Sequence, residues 1–104
     1  MIRHSVVFKL NHQTGSPEEK KFLNEARKLK SIPGVMKFEL LKQTSSKNPY
    51  SYGISMEFED QKSYDFYTNH PDHIRFVQET WIPNVEVFME IDYLLLESKE
   101  DDIQ

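Results

Sequence analysis

The residues of this chain best suited to chemistry near neutral pH are its four histidines, His4, His12, His70 and His73, and the tyrosine that precedes two of them. His70 and His73 fall in the segment Tyr67-Thr68-Asn69-His70-Pro71-Asp72-His73. A proline disfavours helix at the residue before it, so the chain must bend there. Tyr67 and His73 can then converge on a cavity where a straight helix would part them. An imidazole titrates near neutral pH and can remove a proton, and a tyrosine hydroxyl can hydrogen-bond a developing oxyanion. His73 and Tyr67 are therefore the candidate catalytic pair. Burial should lower the His73 pKa below its free value of ~6.5, with Asp72 pointing away because adjacent helical side chains diverge.

The remaining histidines read differently. His4 alternates with Ile2, Val6 and Phe8, which sets an imidazole on an apolar strand face. Two readings stay open for it: a core side chain satisfied by one backbone hydrogen bond, or a group lining the cavity. His70 is read as a cap on the bend, and His12, in a turn with Asn11, Gln13 and Thr14, as exposed and without a role. His70 and His73 are not read as a metal site. Their spacing crosses the proline, and no cysteine or adjacent carboxylate cluster completes a zinc set. The sequence has no cysteine, which excludes a thiol nucleophile and a disulfide frame and fits a reducing, cytoplasmic compartment.

The elements that must position these groups are legible in order. Residues 2–10 alternate as a strand. Asn11 to Gly15 is turn chemistry, and Ser16-Pro17-Glu18-Glu19 opens a helix with Ser16 as N-cap, Pro17 in the first turn and Glu19 closing a capping box. Phe22, Leu23, Ala26 and Leu29 form its apolar stripe, ending near Ser31. Pro33-Gly34 turns into a strand over residues 35–42, which pairs as a hairpin with a strand bearing Tyr50, Tyr52, Ile54, Met56 and Phe58 on one face. Asp60 caps a helix that ends at Asn69-His70, and a further helical stretch runs from Pro71 to Trp81. The last strand spans residues 85–96, with Val85, Val87, Met89, Ile91, Tyr93 and Leu95 on one face and both faces of its end covered. Phe22, Leu23, Ala26, Leu29, Ile54, Phe58, Phe76, Val77, Trp81 and Ile91 are expected in the interior.

This β-α-β-β-α-β order predicts one ferredoxin-like α+β domain over residues 1–97, with a charged tail at 98–104 that frays. Right-handed crossovers give a four-stranded antiparallel sheet with the helices on one face. Its other face would be bare, and the simplest cover for an apolar sheet face is a second copy of the chain, so a homodimer through that face is expected. The formal charge of −4 sets no field for phosphates or anionic lipid, and no apolar run is long enough to cross a membrane. RNA-recognition domains share the element order, but Tyr50-Ser51-Tyr52-Gly53-Ile54-Ser55-Met56-Glu57 lacks their basic start and carries Glu57 where an aromatic is wanted. No nucleic-acid or membrane partner is expected.

Several segments together resemble the stress-responsive A/B-barrel (Dabb) family. They are Ile2-Arg3-His4-Ser5-Val6-Val7-Phe8-Lys9, the Ile32-Pro33-Gly34-Val35 turn, the Tyr67-x-x-His70-Pro71-x-His73 segment followed by Phe76-Val77, and Asp92-Tyr93. The likeness runs over nearly all of residues 2–94. It implies a dimeric α+β barrel with a pocket between sheet and helices in each subunit. Family enzymes include plant polyketide cyclases, which perform aldol-type condensation without a cofactor; most relatives have no established reaction. In the cyclases the histidine matching His73 is the base, the tyrosine matching Tyr67 assists it, and the histidine matching His4 lines the pocket. Where they have a further pocket histidine this chain has Tyr52, so the base-and-donor pair is kept and the cyclases' own substrate is not carried over. The functional expectation is a pocket for a hydrophobic carbonyl compound, lined by His4, Tyr52, Tyr67 and His73, performing proton transfer or aldol-type cyclisation with no cofactor and no metal. The alternative is a non-catalytic stress-associated or ligand-binding homodimer whose histidines are structural.

Overall fold

The computed structural model describes residues 1–96. The tail expected at 98–104, and the boundary at residue 97, lie outside the described residues. The strand β1 (Ile2–Leu10) is followed by the helix α1 (Pro17–Arg27), which tightens into a 3-10 turn at Lys28–Ser31. Then come β2 (Met36–Lys42), β3 (Tyr52–Phe58), α2 (Gln61–Asn69), α3 (Pro71–Phe76), a π-helical turn at Val77–Trp81, a three-residue helix α4 (Ile82–Asn84) and β4 (Val85–Leu94). The sheet is antiparallel in the order β2-β3-β1-β4, with β1 central between β3 and β4. It is the ferredoxin-like arrangement expected from the element order. Among the described residues no helix is long and apolar enough to cross a membrane.

Local chemistry starts and stops the elements. The Ser16 hydroxyl accepts from the Glu19 N–H at 3.2 Å, and Glu19 reaches back one residue further than in a simple capping box, to the Gly15 N–H at 2.9 Å. Ser16→Ala should therefore cost about 1 kcal/mol of stability, read as a lower urea midpoint at unchanged slope; no change would mean that Glu19 alone holds the helix start. Gly34 supplies the positive φ of 93° that the turn before β2 requires. Asp60 caps α2 by accepting from the Ser63 N–H at 2.8 Å. At the proline bend His70 is the cap of α3, its Nδ1 accepting from the Asp72 N–H at 3.1 Å. His12 is more engaged than a solvent-exposed turn residue: half-buried, it bonds Asn84 Oδ1 at 2.7 Å and ties the turn after β1 to the last residue of α4.

The core lies between the sheet and the helices. Phe8, Phe22, Phe58 and Met56 are its largest fully buried side chains, joined by Ala26, Leu29, Ile32, Ile54, Tyr67 and Phe76. Leu23 and Trp81 are partly buried against this cluster, and Val77 is half-buried.

Two expectations about β4 change. In the register with β1, His4 stands opposite Asp92, Val6 opposite Glu90 and Phe8 opposite Phe88. Opposite residues in an antiparallel pair share a face. Phe88, Glu90 and Asp92 therefore face the helices, while Val87, Met89, Ile91 and Tyr93 lie on the bare side with Val7. Ile91 is thus an outer-face residue and not part of the core. The end of β4 is uncovered in the single chain as well, since Leu94 and Leu95 are 70% and 73% exposed.

Candidate active site

A cavity of about 430 Å³ opens between the sheet and the helix layer. β1 contributes His4, α2 contributes Tyr64 and Tyr67, α3 contributes His73, the π-helical turn contributes Trp81, and β4 contributes Phe88 and Glu90. Between them lie Val6, Ile54, Met56 and Phe76, so most of the wall is apolar and the polar groups are few.

The proline bend brings Tyr67 and His73 together, with ring centroids 4.5 Å apart. His73 Nδ1 lies 3.0 Å from the Thr68 carbonyl oxygen. A carbonyl can only accept, so Nδ1 carries the hydrogen and Nε2 keeps its lone pair for a proton. Burial lowers the His73 pKa from the usual 6.5; the nearby His4 acts in the same direction, while the Thr68 bond and Glu90 oppose it. Asp72 turns away to Arg75 at 2.8 Å. Tyr67 is buried, and burial first, then Glu90, raise its phenol pKa, so it stays a protonated donor at neutral pH.

His4 is buried on the helix side of β1, and both sequence readings meet in it, because it is hydrogen-bonded and lines the cavity. Its partners are side chains. Nδ1 lies 2.6 Å from Asp92 Oδ1 and 2.8 Å from the Tyr64 hydroxyl. The Asp92 carboxylate accepts, so His4 Nδ1 also carries its hydrogen. The Tyr64 hydroxyl lies 2.8 Å from Asp92 Oδ2 and 3.1 Å from Glu90 Oε1, and its ring stacks on Phe58 at 4.9 Å. Burial, then Asp92 and Glu90, raise the Tyr64 pKa and keep it protonated.

Tyr64, Glu90 and Asp92 are site residues that sequence reasoning missed. The available signal was two carboxylates at alternate positions of a strand, on the face shared with an imidazole of the neighbouring strand. Tyr52 is the converse case, as it does not line this cavity. It packs on Phe8 with centroids 5.9 Å apart, and burial followed by the neighbouring Glu19 carboxylate raises its phenol pKa. Its place is near the start of α1, away from His73.

The one His/Asp/Glu group among the described residues with metal-ligand spacing is His4, Glu90 and Asp92, whose ligand atoms lie within 4.8 Å of one another. One nitrogen and two carboxylate oxygens suit a borderline divalent ion. In this arrangement, however, His4 Nδ1 is committed to Asp92 and Tyr64. The His70/His73 pair that the sequence raised is not part of such a group among the described residues, and His70 Nδ1 is used as the cap of α3.

A profile of the stress-responsive A/B barrel domain (Dabb) matches residues 2–95 of the chain. A stress-response A/B barrel domain-containing protein of Arabidopsis thaliana is 25% identical over 96 residues, covering 90% of this chain but 36% of that protein, so the chain spans about a third of the length of that relative. Among solved structures, a Dabb-family protein with a ferredoxin-like fold from Mesorhizobium loti is 54% identical with a TM-score of 0.91, covering 92% of this chain and 97% of that one. A hydroxynitrile lyase from Passiflora edulis shares the fold at 14% identity and a TM-score of 0.81, covering 93% of this chain and 94% of that one.

Proposed function

The chain belongs to the stress-responsive A/B barrel domain (Dabb) family, and from that premise we propose that it performs cofactor-free proton transfer on a hydrophobic carbonyl compound held in the sheet–helix cavity. The observation that carries this reading is the tautomer of His73: Thr68 holds the hydrogen on Nδ1, in an environment that keeps the ring neutral, and leaves Nε2 basic. His73 Nε2 removes a proton from the carbon next to the carbonyl. The Tyr67 hydroxyl hydrogen-bonds the enolate oxygen that develops. The imidazolium then returns its proton to carbon, which isomerises or exchanges the substrate. Alternatively, the enolate carbon bonds to a second carbonyl carbon, and the imidazolium proton goes to the resulting alkoxide in an aldol-type closure. His4, held by Asp92 and Tyr64, shapes the pocket wall. Tyr52 has no part in this reading, because it stands outside the cavity.

The test is deuterium wash-in at the α-carbon of hydrophobic ketones and β-diketones, followed by proton NMR. The same spectra follow cleavage of a cyanohydrin to its carbonyl compound and cyanide, because the Passiflora edulis protein of this fold is a hydroxynitrile lyase. Wild type should exchange at least one substrate faster than buffer, and His73→Ala should not. Ligand binding without exchange would support the second reading, a non-catalytic binding protein, which the full engagement of His4 Nδ1 favours.

The same reading makes the protein a homodimer through the bare sheet face. Val7 and Ile91 there are half-buried, while Leu41, Val87, Met89 and Tyr93 are between 42% and 52% exposed in the single chain. An apolar face of this kind is usually covered. A stable interface buries at least about 1,200 Å² in total. Light scattering at tens of micromolar should give twice the chain mass, and a monomer would remove the sheet-face interface from the proposal.

A further inference from the structure

The cavity holds a charge that the proton-transfer reading does not use. Glu90 lines the cavity with its side chain 53% exposed, and its only ion-pair contact among the described residues is His4 Nδ1, 3.7 Å away. Asp92 stands behind it, occupied by His4 and Tyr64. Among the described residues no lysine or arginine lines the cavity. Beside Glu90 the exposed rim is apolar: Phe88 is 54% exposed, Ile82 is 66% exposed, and Trp81 meets Phe88 edge-on with centroids 5.5 Å apart. An aromatic and aliphatic rim around one unneutralised carboxylate attracts organic cations by charge and by the ring quadrupoles. The same carboxylate repels anions. Its field reaches inward as well, since it raises the proton affinity of both Tyr67 and His73.

We propose that Glu90 selects ligands by charge, so that the cavity takes an apolar molecule bearing a cationic amine, the apolar body against Trp81 and Phe88 and the ammonium at Glu90, and rejects carboxylates of the same shape. This rests on the cavity being the ligand site, as in the proposed function, but not on any reaction occurring there. Neutral ligands of the same body bind with intermediate affinity. A negatively charged head would have to enter beside Glu90 and Asp92 with no cationic side chain of the lining to meet it.

Trp81 is the only tryptophan of the chain and forms part of the cavity wall, so its fluorescence reports binding without chemistry. The probes are 4-phenylbutylamine, 4-phenylbutanol and 4-phenylbutyrate, titrated into the full chain in the presence of a chelator. At low salt the amine should bind roughly three- to ten-fold more tightly than the alcohol, and the carboxylate most weakly, with the gaps closing as salt screens the half-exposed charge. Glu90→Gln should bring the amine to the affinity of the alcohol and leave the alcohol unchanged. Because Glu90 is exposed, this variant is expected to fold. Equal binding of amine and carboxylate, an amine preference that survives Glu90→Gln, or no binding of any of the three probes would each overturn the proposal. The ranking holding in a wild-type protein that exchanges no ketone faster than buffer would sink the proton-transfer reading and leave this one standing.

Discussion

On whichever ketone the wild type exchanges, His73→Ala is expected to lower the rate by roughly 10²–10⁴-fold, the usual worth of a positioned general base. The size follows from geometry. His73 is the imidazole placed against Tyr67, its tautomer is set by the Thr68 carbonyl, and among the described residues no aspartate or glutamate hydrogen-bonds its ring. The wild-type rate should be flat above neutrality and fall as pH drops through the His73 pKa, which burial holds below 6.5. The same depression acts on stability. The unfolded chain takes up a proton at ~6.5 and the folded chain only at lower pH, so between the two values the unfolded state binds more protons and stability falls as pH falls. That loss starts near the unfolded pKa and levels off below the folded one. It should be absent from His73→Ala, which can be read from urea midpoints of the two proteins measured against pH. An acid limb centred above 7, or a variant that keeps more than a tenth of the rate, would assign the base elsewhere, with His4 the first group to test.

Phe8→Ala should destabilise the fold by about 3–5 kcal/mol, the range for truncating a buried aromatic side chain. Phe8 is fully buried at the middle of the sheet, with Phe22, Tyr52 and Trp81 at centroid distances of 5.5, 5.9 and 5.0 Å. Those neighbours come from α1, β3 and the π-helical turn, so the void cannot close by one side chain moving. Domains of this size have total stabilities of ~5–15 kcal/mol, which makes the expected loss a large share of the whole. Phe66→Ala is the control, because that ring is 55% exposed on α2 and its loss should shift the melt little. Equal melts for the two variants would mean that the core repacks around position 8.

What the sequence determined by itself was everything that depends on local chemistry and period. Ser16 and Asp60 cap their helices because their side chains accept from N–H groups three residues on. Pro71 bends the chain between Tyr67 and His73 because the residue before a proline leaves the helical region, and His70 does so here at ψ 137°. Alternation marked the strands, and their order with the helices marked the ferredoxin-like sheet. Only the tertiary structure decided which face of β4 turns inward. Alternation separates a strand into two faces without saying which one meets the helices, and the more apolar face was the natural choice for the core. The register with β1 reverses that choice by setting Asp92 opposite His4 and Glu90 opposite Val6. A one-residue shift would exchange the two faces. Two buried or half-buried groups, His4 and Tyr64, hydrogen-bond the carboxylates in the observed register, and the apolar face is left for a second chain. Tyr52 went astray for a related reason. It shares its face with Ile54 and Met56, but alternation carries no information about position along the sheet, and it lies beside Glu19 while the cavity forms further along.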